Sequence, residues 1–217
     1  MTAAITLRDA VILYLIPVAF LAVLWLSVSL VVFVLIHTGS DFAFGRDVSR
    51  KFDDKRELPS GAPRLSLLYV AKLLAGDNCI QAAFLYRVSH YFARRRMRLP
   101  AEIVYSFSRF LTHADLSPWS EIGPGFYLYH GLGTVIGKGA RVGERALICQ
   151  GVTIGGAAVL GDAVKVWAGA QVLAKATVGD RTEVGANAVV IGDFPADSVL
   201  VGVPARATEA TASPTSS

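Results

Sequence analysis

Between Ile136 and Val190 the chain reads IGKGARVGERALICQGVTIGGAAVLGDAVKVWAGAQVLAKATVGDRTEVGANAVV, and this stretch decides the fold. Counting by sixes from its first residue lands on Ile136, Val142, Ile148, Ile154, Leu160, Val166, Val172, Val178, Val184 and Val190, all branched aliphatics. The next position is usually glycine: Gly137, Gly143, Gly155, Gly161, Gly179, Gly185. The fourth position on is small or β-branched, as in Ala140, Ala146, Val152, Ala158, Val164, Ala170, Ala176, Thr182 and Ala188. Self-similarity at a fixed period signals a repeat architecture. An aliphatic at every sixth residue predicts short strands, each sending one large side chain into a triangular coil, with Gly or Ala at the tight corners. Three such hexads close one turn, so the chain is predicted to be mainly β, a parallel β-helix. Ile122 and Leu128 begin the series two residues out of register, which predicts a local insertion between Leu128 and Ile136. Irregularities in a solenoid tend to mark functional spots.

Outward from the repeat the text changes. RLSLLYVAKLLAG, CIQAAFLYRVSHYFARRRMR and PAEIVYSFSRFLTH carry apolar residues at spacings of three and four, and Pro100 suits the first turn of the last helix. A helical capping region is therefore expected over 64–114, ahead of a β-helix over 115–207 and a disordered tail over 208–217. Residues 41–63, broken by Gly45, Pro59, Gly61 and Pro63, read as a polar juxtamembrane linker. His90, among aromatics in YRVSHYF, reads as a packing or capping histidine. The cluster Arg94, Arg95, Arg96 and Arg98 suits either a solvated helix end or an anionic surface.

The chain has 217 residues, which allows one domain with an appendage. Its 53% hydrophobic content and mean hydropathy of +0.48 exceed the soluble norm, and the excess lies at one end. From Ala10 to Ile36 no residue is charged, a run longer than the roughly 20 apolar residues that cross a bilayer. It reads as an N-terminal transmembrane helix within an anchor over 1–40. A cleaved signal peptide is the weaker reading, because the run is long and no A-x-A site follows. Arg46, Arg50, Lys51, Lys55, Arg56 and Arg64 follow the run and only Arg8 precedes it, so the catalytic part is expected on the cytoplasmic side of the inner membrane. The net charge of +4 is modest and no nucleic-acid motif appears. Cys79 and Cys149 stand far apart without a CxxC, so neither a disulfide framework nor a metal site is indicated.

The run LSPWSEIGPGFYLYHGLGTVIGKGARVGERALICQGVTIGG, with the coils and GVPAR that follow, resembles the serine acetyltransferase family and its colanic-acid-type, exopolysaccharide-modifying relatives. The resemblance implies a left-handed coil, a homotrimer and acetyl-CoA as co-substrate. It also implies a general-base histidine in G-x-x-x-x-H-x-x-G, the place of His130 in GFYLYHGLG, and a partner aspartate fifteen residues earlier, the place of Asp115. That chemistry has a physical reason: an alcohol is a poor nucleophile at neutral pH, and an imidazole that takes its proton contributes about 10²–10⁴-fold. By the same resemblance Gly155 and Gly156 in GVTIGG, Ala168 in WAGA and Ala186 in VGANA match CoA-contacting positions, while Lys165, Lys175 and Arg206 suit its phosphates. His113 receives no role.

Two departures bear on the acceptor. The family's serine enzymes carry after the GG a loop with adjacent Arg and His that holds the amino acid's carboxylate; here Gly156 runs straight into AAVLGDAVKV. The aspartate that precedes their histidine is Tyr129 here. Charged groups need partners when desolvated, so the expectation favours a membrane-anchored O-acetyltransferase acting on a sugar hydroxyl of a lipid-linked glycan or exopolysaccharide intermediate. A serine O-acetyltransferase and a noncatalytic trimeric scaffold are the alternatives. A carbonic anhydrase of this fold would need three zinc histidines, and the repeats hold one.

Overall fold

A computed structural model describes residue 18, residues 43–53 and residues 67–208. Four helices, α1 (Phe44–Asp53), α2 (Leu67–Gly76), α3 (Asn78–Arg94) and α4 (Arg98–Thr112), precede fifteen very short strands. The strands stack by parallel pairing into three faces: β1 (Asp115–Leu116), β4 (Val135–Ile136), β7 (Thr153–Ile154), β10 (Gln171–Val172) and β13 (Val189–Val190) form the first. The second contains β2 (Glu121–Ile122), β5 (Arg141–Val142), β8 (Val159–Leu160) and β11 (Thr177–Val178). The third contains β3 (Tyr127–Tyr129), β6 (Leu147–Cys149), β9 (Lys165–Val166), β12 (Glu183–Val184) and β14 (Val199–Val201). The expected parallel β-helix with a small helical part is the observed architecture.

The register follows the hexad. Val135 pairs with Thr153, Thr153 with Gln171 and Gln171 with Val189, each 18 residues on. Every aliphatic of the sixfold series is at most 3% exposed, and so are the small residues four positions later. One side chain fills each third of a coil, and the small partner leaves room for it. Corner glycines between the second and third faces sit against the next coil's backbone: a Cβ on Gly143 would lie 2.5 Å from the Gly161 carbonyl carbon. The aspartates that follow such glycines satisfy the corner amides, since Glu144 N donates to Asp162 Oδ1 and Asp162 N to Asp180 Oδ1, both at 2.8 Å. The first coil is longer. Asp115 pairs with Val135, 20 residues on, and the extra two residues lie in the corner 130–134 between β3 and β4, where the sequence places the insertion.

At its far end the coil closes with a hairpin, β15 (Arg206–Thr208) running antiparallel to β14. At its near end the helices cover it. Asp77 caps α3, accepting from Cys79 N and Ile80 N at 3.1 Å. Tyr86 donates to the Ser120 carbonyl at 3.0 Å and accepts from Ile122 N at 3.1 Å. His90 packs as expected, stacked on Tyr86 with its Nδ1–H donating to the Pro118 carbonyl at 2.9 Å.

The reading of 41–63 as a plain polar linker is corrected over 44–53. That segment is helix α1, with Phe44 and Val48 fully buried on one side, four residues apart as a helix requires. On the same side Asp47 forms a bidentate pair with Arg87, Nε to Oδ2 at 2.8 Å and Nη2 to Oδ1 at 3.0 Å. Arg87 also donates to the carbonyls of Ile122 and Gly123, and Phe126 N donates to Asp47. One buried ion pair thus joins α1, α3 and the first coil. The span Ala10–Ile36 lies outside the described residues apart from residue 18, as do the tail from residue 209 and residues 54–66. Among the described residues no helix is long and apolar enough to cross a membrane.

Breaking a buried pair strands the remaining charge, so Asp47→Ala should lower the unfolding free energy by about 3–5 kcal/mol in urea denaturation. Ordinary surface changes stay within about 0.5 kcal/mol. Burial pulls the His90 imidazole below its ordinary pKa, with Arg87 and Arg94 adding to the effect. The unfolded chain therefore takes up this proton first on acidification, and the stability held above about pH 6.5 is lost as pH falls further. Melting temperature should drop more steeply from pH 7 to pH 5 in the parent than in His90→Gln.

Candidate active site

His130 occupies the first residue of the enlarged corner, in the left-handed region at φ 61°, with its side chain exposed. The Leu132 amide donates to its carbonyl at 2.6 Å, and its ring meets Tyr129 edge-on at 4.3 Å between centroids. Where β4 pairs with β7 and β7 with β10 the repeat is 18 residues, so the two extra residues enlarge this corner. His130 gains its exposure from that bulge.

The edge on which it stands, between the third and first faces, is continued by a ladder: Gly151 N donates to Leu132 O, Gly169 N to Gln150 O and Asn187 N to Ala168 O, at 2.9, 3.0 and 3.0 Å. Ala168 and Ala186 lie on this edge two and three coils along, about 10 and 14 Å from the His130 corner at the strand spacing of ~4.8 Å. Ala168 is half-buried and Ala186 exposed. Gly155 and Gly156 stand on a different edge, between the first and second faces. A Cβ on Gly155 would come within 2.5 Å of the Ala174 backbone nitrogen, so the glycine there is required by the coil itself. The structure thus brings His130, Ala168 and Ala186 into line and sets the two glycines one face away. Of the three cations, Lys165 is held by Glu183 at 2.7 Å, Lys175 is an exposed corner residue, and Arg206 lies exposed on β15.

Asp115 begins β1, half-buried, directly after α4. Its Oδ1 accepts from the Tyr105 hydroxyl, and its Oδ2 lies 3.6 Å from Arg109 Nε. Burial and the neighbouring Asp115 carboxylate push Tyr105 up to about 12, which keeps its hydroxyl protonated as a donor. Among the described residues no hydrogen bond joins Asp115 to His130, but the segments that carry them meet. Asp115 N donates to Thr134 O at 2.8 Å, and Gly133 N to His113 O at 3.0 Å. An open cleft of about 480 Å³ lies here, lined by Ser106, Arg109, Phe110, His113, Ala114 and Asp115. Tyr105 and Arg109 carry no signal in the sequence: spaced four apart near the end of an amphipathic helix, they read as ordinary surface positions until the fold sets Asp115 beneath them. No group of three or more His, Cys, Asp or Glu able to hold a metal occurs among the described residues.

Comparison with known proteins agrees with the coil. Residues 157–192 match the bacterial transferase hexapeptide (six repeats) family. A serine acetyltransferase of Bacillus pumilus is 36% identical over 74 residues, 34% of this chain and 34% of that protein. Among solved structures, a serine acetyltransferase in complex with CoA is 27% identical with a TM-score of 0.66, covering 76% of this chain and 68% of the other. The soybean serine acetyltransferase complexed with serine is 27% identical with a TM-score of 0.65, covering the same shares. The chain spans about a third of the length of the curated relative.

Two expectations are corrected by these findings. The relatives reported above are serine acetyltransferases by name, so the glycan acceptor is withdrawn in favour of the serine alternative. The single-pass inner-membrane placement goes with it, because those relatives are serine acetyltransferases by name; the run it was built on lies outside the described residues apart from residue 18. The apolar length of the run was a reading of composition alone, and neither the fold nor its relatives support the placement built on it. The chain carries hexapeptide repeats that match the bacterial transferase type over residues 157–192, and it resembles the serine acetyltransferases.

Proposed function

We propose that the protein is an acetyl-CoA-dependent O-acetyltransferase that acetylates the side-chain hydroxyl of serine. The observation that carries this reading is the position of His130: a solvent-facing imidazole on the one enlarged corner, in line with Ala168 and Ala186. The thioester arm of acetyl-CoA runs along that edge in the proposal, where small side chains leave the backbone approachable. His130 takes the hydroxyl proton as the serine oxygen attacks the thioester carbonyl. The tetrahedral adduct then expels the CoA thiolate, which receives that proton, leaving O-acetylserine and CoA. Asp115 orients the imidazole and balances its charge as it becomes protonated. Catalytic hydrogen bonds in unliganded enzymes are often long and close only around substrate, so the present engagement of Asp115 with Tyr105 is compatible with this role. Gly155 and Gly156 line the neighbouring edge on the adenosine side. A left-handed coil and a trimer, usual for hexapeptide-repeat proteins, belong to the same reading.

Thiol release from acetyl-CoA in the presence of serine tests the reading directly. His130→Asn, chosen because asparagine tolerates the left-handed backbone, should lower kcat by about 10²–10⁴-fold with acetyl-CoA binding and melting temperature unchanged. An unimpaired variant would remove His130 from the chemistry. Enlarging the exposed track with Ala186→Leu should raise KM for acetyl-CoA by about tenfold and leave kcat nearly constant, since it blocks binding without touching the base.

A further inference from the structure

The serine acetyltransferases' carboxylate-holding loop has no counterpart after Gly156, yet an amino-acid acceptor brings a charge that needs a partner once water is displaced. We propose that the cleft between the end of α4 and β1 binds the acceptor's carboxylate, with the Arg109 guanidinium as its principal partner and His113 beside it. The proposal rests on the serine reading above and deepens it.

Arg109 lies in the last turn of α4, is about half exposed, and lines the cleft. A guanidinium offers five N–H donors in a planar fork matched to a carboxylate. Among the described residues one ion pair engages it, with the Asp115 oxygen at 3.6 Å, too long for a hydrogen bond. Its carbon stands 5.4 Å from the Tyr105 ring centre, a cation–π contact that holds the guanidinium over the ring. Asp115, the negative neighbour, has its other oxygen taken by the Tyr105 hydroxyl. The competition Arg109 must overcome is therefore an exposed, loosely made pair, of the kind that contributes little by itself.

The cleft also lies where an acceptor has to be. His113 and Asp115 form its floor, and their backbones hydrogen-bond to Gly133 and Thr134, the last residues of the corner that begins with His130. His130 and Gly133 are three residues apart, at most about 11 Å of chain. A small molecule held by its carboxylate at Arg109 sits at this junction, beside the segment that carries His130. A cleft of about 480 Å³ exceeds what one amino acid needs, which leaves room for the acetyl end of the donor.

Acetyl transfer from acetyl-CoA to L-serine and to L-serinamide, in which a neutral amide replaces the carboxylate, separates the possibilities. Arg109→Gln should raise KM for L-serine about 10- to 100-fold, leave kcat nearly unchanged, and leave the kinetics with L-serinamide nearly unchanged. Arg109→Lys, which keeps the charge and loses the fork, should fall between. Equal losses with both acceptors, or an unchanged KM for L-serine, would overturn the carboxylate site while leaving the serine reading intact. Turnover of L-serinamide by the parent protein with none of L-serine would overturn both. Calorimetric titration of L-serine into the parent protein and Arg109→Gln needs no turnover: binding lost in the variant supports the site, and equal or absent binding in both sinks it.

Discussion

The structure depends on one packing constraint: each third of a coil has room for one branched aliphatic, stacked on the residue 18 positions earlier. Burying such a side chain is worth about 1.5–3 kcal/mol, and the series from Ile136 to Val190 supplies it without a gap. The strands are only two or three residues long, too short to hold register by themselves. Register is held by the core. A shift by one residue would turn every aliphatic outward and bring its neighbours in. Any change in coil length must then be absorbed at a corner, because a strand cannot take up an extra residue without losing its core side chain. That is why two additional residues appear as a bulge at 130–134 rather than as a disturbed strand, and why the neighbouring pairings of β1, β2 and β3 all remain in step with the second coil.

The same constraint explains what could be read from the sequence. Periodicity is a local property, so the hexads, the corner glycines and the position of the insertion were all visible in one dimension. His130 was visible through it, as the residue that opens the irregular corner. Contacts made at long sequence separation were not. Asp47 and Arg87 are 40 residues apart and Asp47 and Phe126 are 79 apart. No spacing rule connects them. FGRDVSRKFD has mostly polar side chains and a glycine at its second position, which made it read as linker; Phe44, Val48 and Asp47 are buried, and that burial holds it in place as a helix.

Composition misled in a more instructive way. A long uncharged run is a strong argument about what a segment avoids, namely bare exposure to water, and a weaker one about where the protein works. The sugar acceptor rested on the missing loop after Gly156 and on Tyr129, and the apolar run gave it a membrane setting. The absence of one carboxylate-binding element is not the absence of the function. A binding function belongs to whichever groups reach the ligand, and the helical part was assumed to be only a cap.

The division of labour between the two parts follows from their mechanics. Corners of the coil are fixed by backbone ladders on both sides, so an edge such as that of Ala168 and Ala186 is rigid and suits a long, invariant donor. The end of α4 meets the coil through β1 and the His113 carbonyl, and its exposed side chains, such as Ser106, Arg109 and Phe110, stand clear of the stacked core. Acceptor recognition placed there can change by substitution at a few exposed positions, whereas the donor track cannot. A chain that lost one carboxylate-binding loop could therefore retain its acceptor by recruiting Arg109, a single side chain already held near Asp115 and opposite the bulge that exposes His130.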